Sequence, residues 1–256
     1  MKYTYYIFLL CLSLSCTQDK SDLPLLEMVL SDYIATNETF PLVRDSLIAC
    51  AFGGQNGFLE NPTHPVSILF YPEGNATEFQ YFETDSIAVN PDDLSNYQLQ
   101  DLSLSPVFNG FLQRFERPTI SKNLWGRVTY VKDGRLHISN AIRLKLDDKP
   151  TEFSPSLVQI DQTENLSPIF TWTDGQVPEN AIYFHAVLDE QNNLISGTYT
   201  FEQRFQFYNL SNVVLNIRAV MPPPMLIPNS NYRFVIMGVS LDNWVNLIVE
   251  LPFETE

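Results

Sequence analysis

The chain has 256 residues and carries 30 acidic against 15 basic side chains, for a formal net charge of −15 at pH 7. Such an acidic surface repels polyanions, which excludes nucleic acid as a general partner. Hydrophobic residues make up 45% of the chain and aromatic residues 13%, enough for a core, so wholesale disorder is excluded too. The length allows one large domain or two of roughly 100–130 residues.

The N-terminus has the pattern of an export signal. Lys2 precedes a run of about ten largely apolar residues, and a polar run begins at Thr17. The apolar run is shorter than the roughly 20 residues that a membrane-spanning helix needs. The run ends in Leu12-Ser13-Leu14-Ser15-Cys16, which resembles the lipobox of bacterial lipoproteins. An ordinary secretory signal with an incidental cysteine is the alternative interpretation.

The lipoprotein resemblance implies a signal peptide over residues 1–15 and a diacylglycerol group on the thiol of Cys16. The mature protein would then be held at the membrane by its N-terminal lipid. Thr17 stands where an Asp is the usual signal for inner-membrane retention, so the resemblance implies the outer membrane as the location. Cys50 would be the one unmodified cysteine, which excludes an intrachain disulfide, and its apolar surroundings indicate a small buried side chain.

Residues 16–44 are predicted to be a lipid-anchored tether. Apolar positions at 25, 26, 29, 30, 33 and 34 have the spacing of a short amphipathic helix. This helix could form part of a stalk between the lipid and the body of the protein, or it could pack on the first domain.

From about residue 45 onward the pattern predicts β-strands. Short runs rich in Val, Ile, Tyr, Phe and Thr are separated by Pro, Gly, Asn and Asp clusters, as in sandwiches and barrels. The predicted strands of a first domain, 45–147, are 45–52, 65–71, 77–83, 104–115, 124–132 and 135–146. Asp133-Gly134 predicts a tight hairpin between the last two.

A polar stretch with two prolines, residues 148–155, is predicted to link the first domain to a second one over 156–256. The predicted strands there are 156–161, 168–173, 181–188, 195–204, 212–219, 231–239 and 243–251. Seven strands in about 100 residues are typical of a simple immunoglobulin-like sandwich.

The second domain also contains a spaced motif, Leu226, Pro228 and Tyr232, ahead of its sixth predicted strand, with Trp172 and Tyr183 in its second and third predicted strands. This motif and these two aromatic residues resemble those of the fibronectin type III family. The resemblance implies a tyrosine corner, in which the Tyr232 hydroxyl bonds to the backbone nearby. The predicted fold class is therefore all-β, with two tandem antiparallel β-sandwiches of the immunoglobulin-like or fibronectin type III-like kind.

The sequence offers little that predicts catalysis. The three histidines, His64, His137 and His185, lack the spacing of a zinc site, and neither a nucleophile elbow nor a phosphate-binding loop is present. We therefore predict a protein that is not an enzyme, with no catalytic residue, no metal site and no cofactor.

One patch stands out as a candidate for ligand contact. Trp244 lies among Asp242, Asn243 and Asn246 in the final predicted hairpin. An exposed ring flanked by hydrogen-bonding groups is typical of surfaces that bind glycans or peptides.

The sequence thus predicts a lipid-anchored cell-envelope protein that acts as a non-catalytic binding or scaffolding module for a protein or glycan partner. The first alternative is a glycan-binding accessory protein or a glycan-active enzyme. The second is a structural subunit of an outer-membrane assembly.

Overall fold

The computed structural model describes residues 28–53, 66–118, 122–145, 148–164, 166–217 and 225–256. The predicted signal peptide, Cys16 and the first part of the predicted tether lie outside these residues. Within them the fold is all-β, as predicted, with one short helix, α1 (Leu30–Thr36).

Ten strands come from the first half of the chain. They are β1 (Leu42–Leu47), β2 (Ala49–Gly53), β3 (Val66–Phe70), β4 (Thr77–Thr84), β5 (Tyr97–Gln100), β6 (Ser103–Val107), β7 (Leu112–Arg117), β8 (Leu124–Lys132), β9 (Arg135–Ser139) and β10 (Ile142–Leu144). Nine come from the second half: β11 (Glu152–Phe153), β12 (Val158–Asp161), β13 (Ile169–Trp172), β14 (Ile182–Asp189), β15 (Leu194–Thr200), β16 (Arg204–Gln206), β17 (Val213–Asn216), β18 (Asn231–Val239) and β19 (Val245–Glu254).

These strands form four sheets, and each sheet takes its strands from one half of the chain. Sheet 1 has the order β1-β9-β8-β4-β5, with β10 also paired to β8, and sheet 2 has the order β2-β3-β7-β6. Sheet 3 has the order β11-β19-β18-β14-β15-β17, and sheet 4 has the order β12-β13-β16. The pairings are antiparallel except for β1 with β9 and β11 with β19.

Each half is a β-sandwich with its own core. In the first, sheets 1 and 2 enclose a cluster that includes Ile68, Phe70 and Tyr130. In the second, sheets 3 and 4 enclose a cluster in which the rings of Phe170 and Phe234 stack with centroids 3.9 Å apart. The three strands of sheet 4 face the neighbouring strands β19, β18, β14 and β15 of sheet 3, a division that agrees with a fibronectin type III-like sandwich.

The two sandwiches also share a core with each other. Phe52, Leu69 and Leu112 of sheet 2 pack with Phe184 and Met237 of sheet 3 in one buried cluster. The outer face of sheet 2 is therefore covered by sheet 3, and the four sheets form one stack. Burying these apolar faces against each other supplies a hydrophobic driving force for keeping the halves together.

Residues 240–245 form the turn between β18 and β19 and the first residue of β19. We name this segment the Trp244 hairpin, and it crosses the interface between the two sandwiches. Trp244 is 0% exposed and belongs to the core cluster of the first sandwich, although its strand lies in the second. Its indole nitrogen donates to the carbonyl of Lys149 over 2.8 Å, and the Ala51 amide donates to the Asn243 carbonyl over 3.0 Å. One side chain of the second half thus completes the core of the first.

The residues predicted as a linker are fixed to both halves. The Thr151 amide donates to the Gly53 carbonyl over 2.8 Å. Its buried hydroxyl accepts from the Gly53 amide and donates to the Val245 carbonyl over 2.7 Å. Strand β11 then pairs with β19. Polar and proline-rich composition therefore marks a connection here, but its backbone groups bond to the protein on both sides.

Helix α1 packs on the outer face of sheet 1. Leu30 is fully buried there, and the ring of Tyr33 lies 5.4 Å from that of Phe82. The alternative of a free stalk does not hold for the described part of the predicted tether. Strand β1 also begins at Leu42, within the predicted tether, because residues 42–44 pair in parallel with β9.

Most strand predictions overlap an observed strand, and the errors have local causes. The predicted strand 104–115 is a hairpin, since the chain turns at Phe108–Phe111 with positive φ at Asn109 and Gly110. The predicted strand 195–204 ends at Thr200, because the chain then crosses from sheet 3 to β16 in sheet 4. The runs 45–52 and 135–146 each break once, and β5 was missed. The Asp133-Gly134 hairpin is confirmed, with positive φ at both residues.

Replacing Trp244 with Ala should destabilise the whole chain, because it leaves a cavity in the first sandwich and removes a contact between the halves. We expect a loss of about 3–5 kcal/mol in the free energy of unfolding, measured by urea denaturation of the full chain. Leu241→Ala is the matched control, since Leu241 lies in the same hairpin and is 91% exposed. It should change the free energy by less than about 0.5 kcal/mol. A loss below about 1 kcal/mol for Trp244→Ala would contradict the assigned role.

Candidate functional site

An apolar cavity of about 230 Å³ lies between sheets 2 and 3. Cys50 and Leu69 line it from the side of sheet 2, and Phe184, Tyr199 and Met237 line it from the side of sheet 3. These elements come together because the two sandwiches share the interface core described above. The cavity is therefore a product of how the halves pack.

The walls of the cavity are mostly apolar. Among the described residues, none of the side chains that line it is charged, and its polar side chains are Cys50, Tyr71, Tyr199 and the amides of Asn140 and Asn243. Burial raises the pKa of the Cys50 thiol to about 12 and also raises the pKa of the Tyr199 hydroxyl. Both groups are therefore protonated at neutral pH. A neutral thiol is a poor nucleophile, so the chemistry of this cavity suits binding.

The cavity adjoins a second, more polar depression at the surface. Ile48, Tyr71 and Leu215 line both spaces, and the ion pair of Glu73 with Lys132 lies in the outer one. Ile48 and Tyr71 are half-buried, and Leu215 is exposed. The outer depression thus forms a vestibule from which the apolar cavity can be reached.

The residues of the predicted ligand patch around Trp244 do not form an exposed binding surface. The Trp244 ring is completely buried, and Asp242 pairs with the buried Lys145 over 2.8 Å. Asn243 donates its side-chain amide to the Ala141 carbonyl, and Asn246 donates to Asn180. The exposure of Trp244, on which the prediction depended, is contradicted: the acidic and amide groups around it bond within the protein.

The residues of the predicted tyrosine corner lie at the entrance to β18. The Tyr232 hydroxyl accepts a hydrogen bond from the Ile227 amide over 2.9 Å, and its ring stacks on Phe253. Leu226 is buried in the same core, whereas Pro228 is exposed in the turn. The hydroxyl thus bonds to the backbone five residues upstream, a contact of the kind that the resemblance implies.

The described histidines are part of the packing. His185 is fully buried, its ring nitrogen lies 2.9 Å from the Thr198 hydroxyl, and burial lowers its pKa to about 3. His137 stacks on Tyr130. His64 lies outside the described residues. Within the described ranges, no group of three or more His, Cys, Asp or Glu side chains is placed to hold a metal ion.

Comparison with known proteins adds little to these observations. No family model matches the chain, and no curated protein is similar to it in sequence. Among solved structures, the FN1–FN3 domains of chicken CNTN1 are 13% identical, with a TM-score of 0.27, over 85% of this chain and 69% of that one. A TM-score this low carries no argument about function, so the account depends on the chain's own sheets and contacts.

No helix in the described part of the chain combines the length and the apolar character needed to cross a bilayer.

Sequence reasoning missed the cavity. Its lining comes from strands that lie far apart in the chain, namely β1, β2, β3, β7, β14, β15, β17 and β18. The one local feature of the sequence that relates to the cavity is the apolar run around Cys50, and Cys50 lies in the cavity wall. Nothing in the local pattern shows that sheet 2 would meet sheet 3.

The Cys50 thiol should react slowly in the folded protein. In a full-length chain carrying Cys11→Ser and Cys16→Ser, Cys50 is the single thiol. A rise in its pKa from 9.0 to about 12 lowers the thiolate fraction at pH 8 about 1,000-fold. We expect alkylation by iodoacetamide to be at least about 100-fold slower in the folded chain than in the same chain unfolded in urea. Equal rates in the two states would contradict the protonated, buried thiol.

Proposed function

We propose that this protein is a non-catalytic binding or scaffolding module of the cell envelope, anchored by a lipid on Cys16 and engaging a protein partner by strand addition. The observation that carries the partner-binding part is the position of β17 in sheet 3. In the described residues, β17 is the last strand of that sheet and pairs with β15 alone.

This edge is apolar as well as accessible. Val214 and Leu215 of β17 are 48% and 43% exposed, and Phe201, which follows β15, is 65% exposed. Natural proteins usually protect a sheet edge with charges, prolines or a covering element. An accessible edge flanked by large apolar side chains is instead suited to an added strand, with the backbone giving affinity and the side chains giving specificity.

The rigid stack supports a scaffolding role. Because the Trp244 hairpin and Thr151 tie the two halves together, the β17 edge holds a fixed position relative to α1 at the far end of the stack. Helix α1 is the described element nearest in sequence to the proposed anchor. A partner held at β17 would therefore be presented at a fixed position relative to α1.

The glycan alternatives depended on an aromatic binding face. Among the described residues, Trp172 and Trp244 are buried and Trp125 is half-buried, with its indole nitrogen bonded to the Ile87 carbonyl. No described tryptophan is exposed for stacking on a sugar, so the protein partner is the better supported proposal.

Placing a charge on the edge should abolish partner capture. Val214→Lys puts an ammonium group at the centre of β17, the device by which natural edges resist pairing. In a pull-down from envelope extract with the purified full chain as bait, we expect capture by the unmodified chain and a loss of about tenfold or more with Val214→Lys. Leu241→Lys, at an exposed apolar position in the Trp244 hairpin, is the control and should capture normally. Equal capture by the two variants, or no capture at all, would refute the edge proposal.

The lipid anchor is tested separately. Metabolic labelling with palmitate should mark the protein in the membrane fraction, and Cys16→Ala should abolish the label because the acceptor thiol is gone. Cys11→Ala is the matched control, since that cysteine lies inside the proposed signal peptide and its loss should leave the label unchanged. A label that persists in Cys16→Ala removes the anchor from the account.

A further inference from the structure

The cavity between sheets 2 and 3 has the size of a small-molecule site. Apolar cavities that exclude water can take up apolar ligands, and an engineered cavity of about 150 Å³ binds benzene. The present cavity, of about 230 Å³, is half as large again. It can therefore hold a molecule of about ten carbon atoms, by scaling from the six of benzene.

We propose that this cavity is a binding site for an uncharged, hydrocarbon-rich molecule of about ten carbon atoms, the size of a naphthalene ring system or a short alkyl chain. This inference concerns a different class of ligand from the strand addition at β17, although the two sites meet at Leu215, which lines the rim of the cavity.

The lining selects against charge. Leu69, Phe184, Met237 and Val239 surround the space with hydrocarbon, and a charged ligand would lose its hydration with no countercharge to replace it. The thiol of Cys50 is neutral, so it does not supply such a countercharge. The side chains that line the cavity therefore favour uncharged ligands over charged ones.

Two amide side chains interrupt the apolar lining. Asn140 and Asn243 both line the cavity, and a single hydroxyl or carbonyl group of a ligand could meet a hydrogen-bonding partner there. Ile48, Tyr71 and Leu215 form the rim shared with the vestibule, so entry does not require the two sandwiches to separate. A ligand with one polar atom on an apolar body fits both features.

The first test uses two ligands that share the naphthalene ring and differ in charge. At pH 7, 2-naphthol is uncharged and 2-naphthoate is an anion. We expect 2-naphthol to bind the full chain with a dissociation constant below about 1 mM, measured by ligand-observed NMR or fluorescence titration. The naphthoate should bind at least about tenfold more weakly. Absence of 2-naphthol binding, or equal affinity for the two ligands, would overturn the proposal.

The second test locates the bound ligand. Cys50→Phe fills the cavity and Ile48→Trp narrows its rim, and each should weaken 2-naphthol binding at least about tenfold. Leu241→Phe adds the same kind of bulk at an exposed position outside the cavity and should leave the affinity unchanged. Circular dichroism and the melting temperature of each variant establish folding. If Cys50→Phe does not fold, the Ile48→Trp variant and the comparison of 2-naphthol with 2-naphthoate test the proposal. Unchanged 2-naphthol binding to a folded Ile48→Trp variant would show that the ligand binds outside the cavity.

These outcomes are separable from those of the proposed function. Cys50 lies on β2, so Cys50→Phe should capture a partner as the unmodified chain does, whereas Ile48→Trp adds bulk beside Leu215 of β17 and is used for the ligand test alone. Conversely, Val214 does not line the cavity, and Val214→Lys should bind 2-naphthol normally.

Discussion

The insertion of Trp244 into the first sandwich is the contact on which the rest of the structure depends. Its ring fills a core built from sheets 1 and 2, its backbone bridges Ala51 of β2, and the next residue begins β19 of sheet 3. Around it, the Ala51 amide, the Lys149 carbonyl and the Thr151 hydroxyl form hydrogen bonds that cross from one half to the other. A buried aromatic side chain with its one polar atom satisfied is a strong and specific anchor. Two domains in sequence are thereby one body in structure.

The cavity follows from this arrangement. Sheets twist, so two sheets that pack face to face and are fixed at one point do not stay in contact over their whole area. Sheets 2 and 3 are fixed at the Trp244 hairpin and meet along Phe52, Leu112 and Met237, and the space beside Cys50 and Tyr199 is left unfilled. Whether such a space is a ligand site depends on its walls, and these walls are mostly apolar and carry no charged side chain among the described residues. The same packing leaves β17 at the outer edge of sheet 3.

The sequence predicted the fold where the signal is local and failed where it is tertiary. The local signals depend on residues that are neighbours in the chain. They are the period of the strands, the Asp133-Gly134 turn and the amphipathic spacing around Leu30 and Tyr33, and the structure contains the corresponding hairpin and helix. The hairpin at Asn109-Gly110 shows that a turn signal was present inside a run interpreted as one strand. The prediction that Trp244 is exposed was wrong for another reason, because a tryptophan flanked by Asp and Asn has the composition of an exposed loop. Its burial depends on a partner sheet about 190 residues earlier in the chain, where Ala51 lies.

The contacts around Trp244 require the two sandwiches to fold and unfold as one unit, which calorimetry of the full chain can show. A single cooperative unit has a ratio of calorimetric to van't Hoff enthalpy of about 1. We expect one transition with that ratio, because loss of either half removes Trp244 from its core and exposes the faces of sheets 2 and 3. Two resolved transitions, or a single one with a ratio near 2, would show that the halves unfold independently and that Trp244 does not couple them.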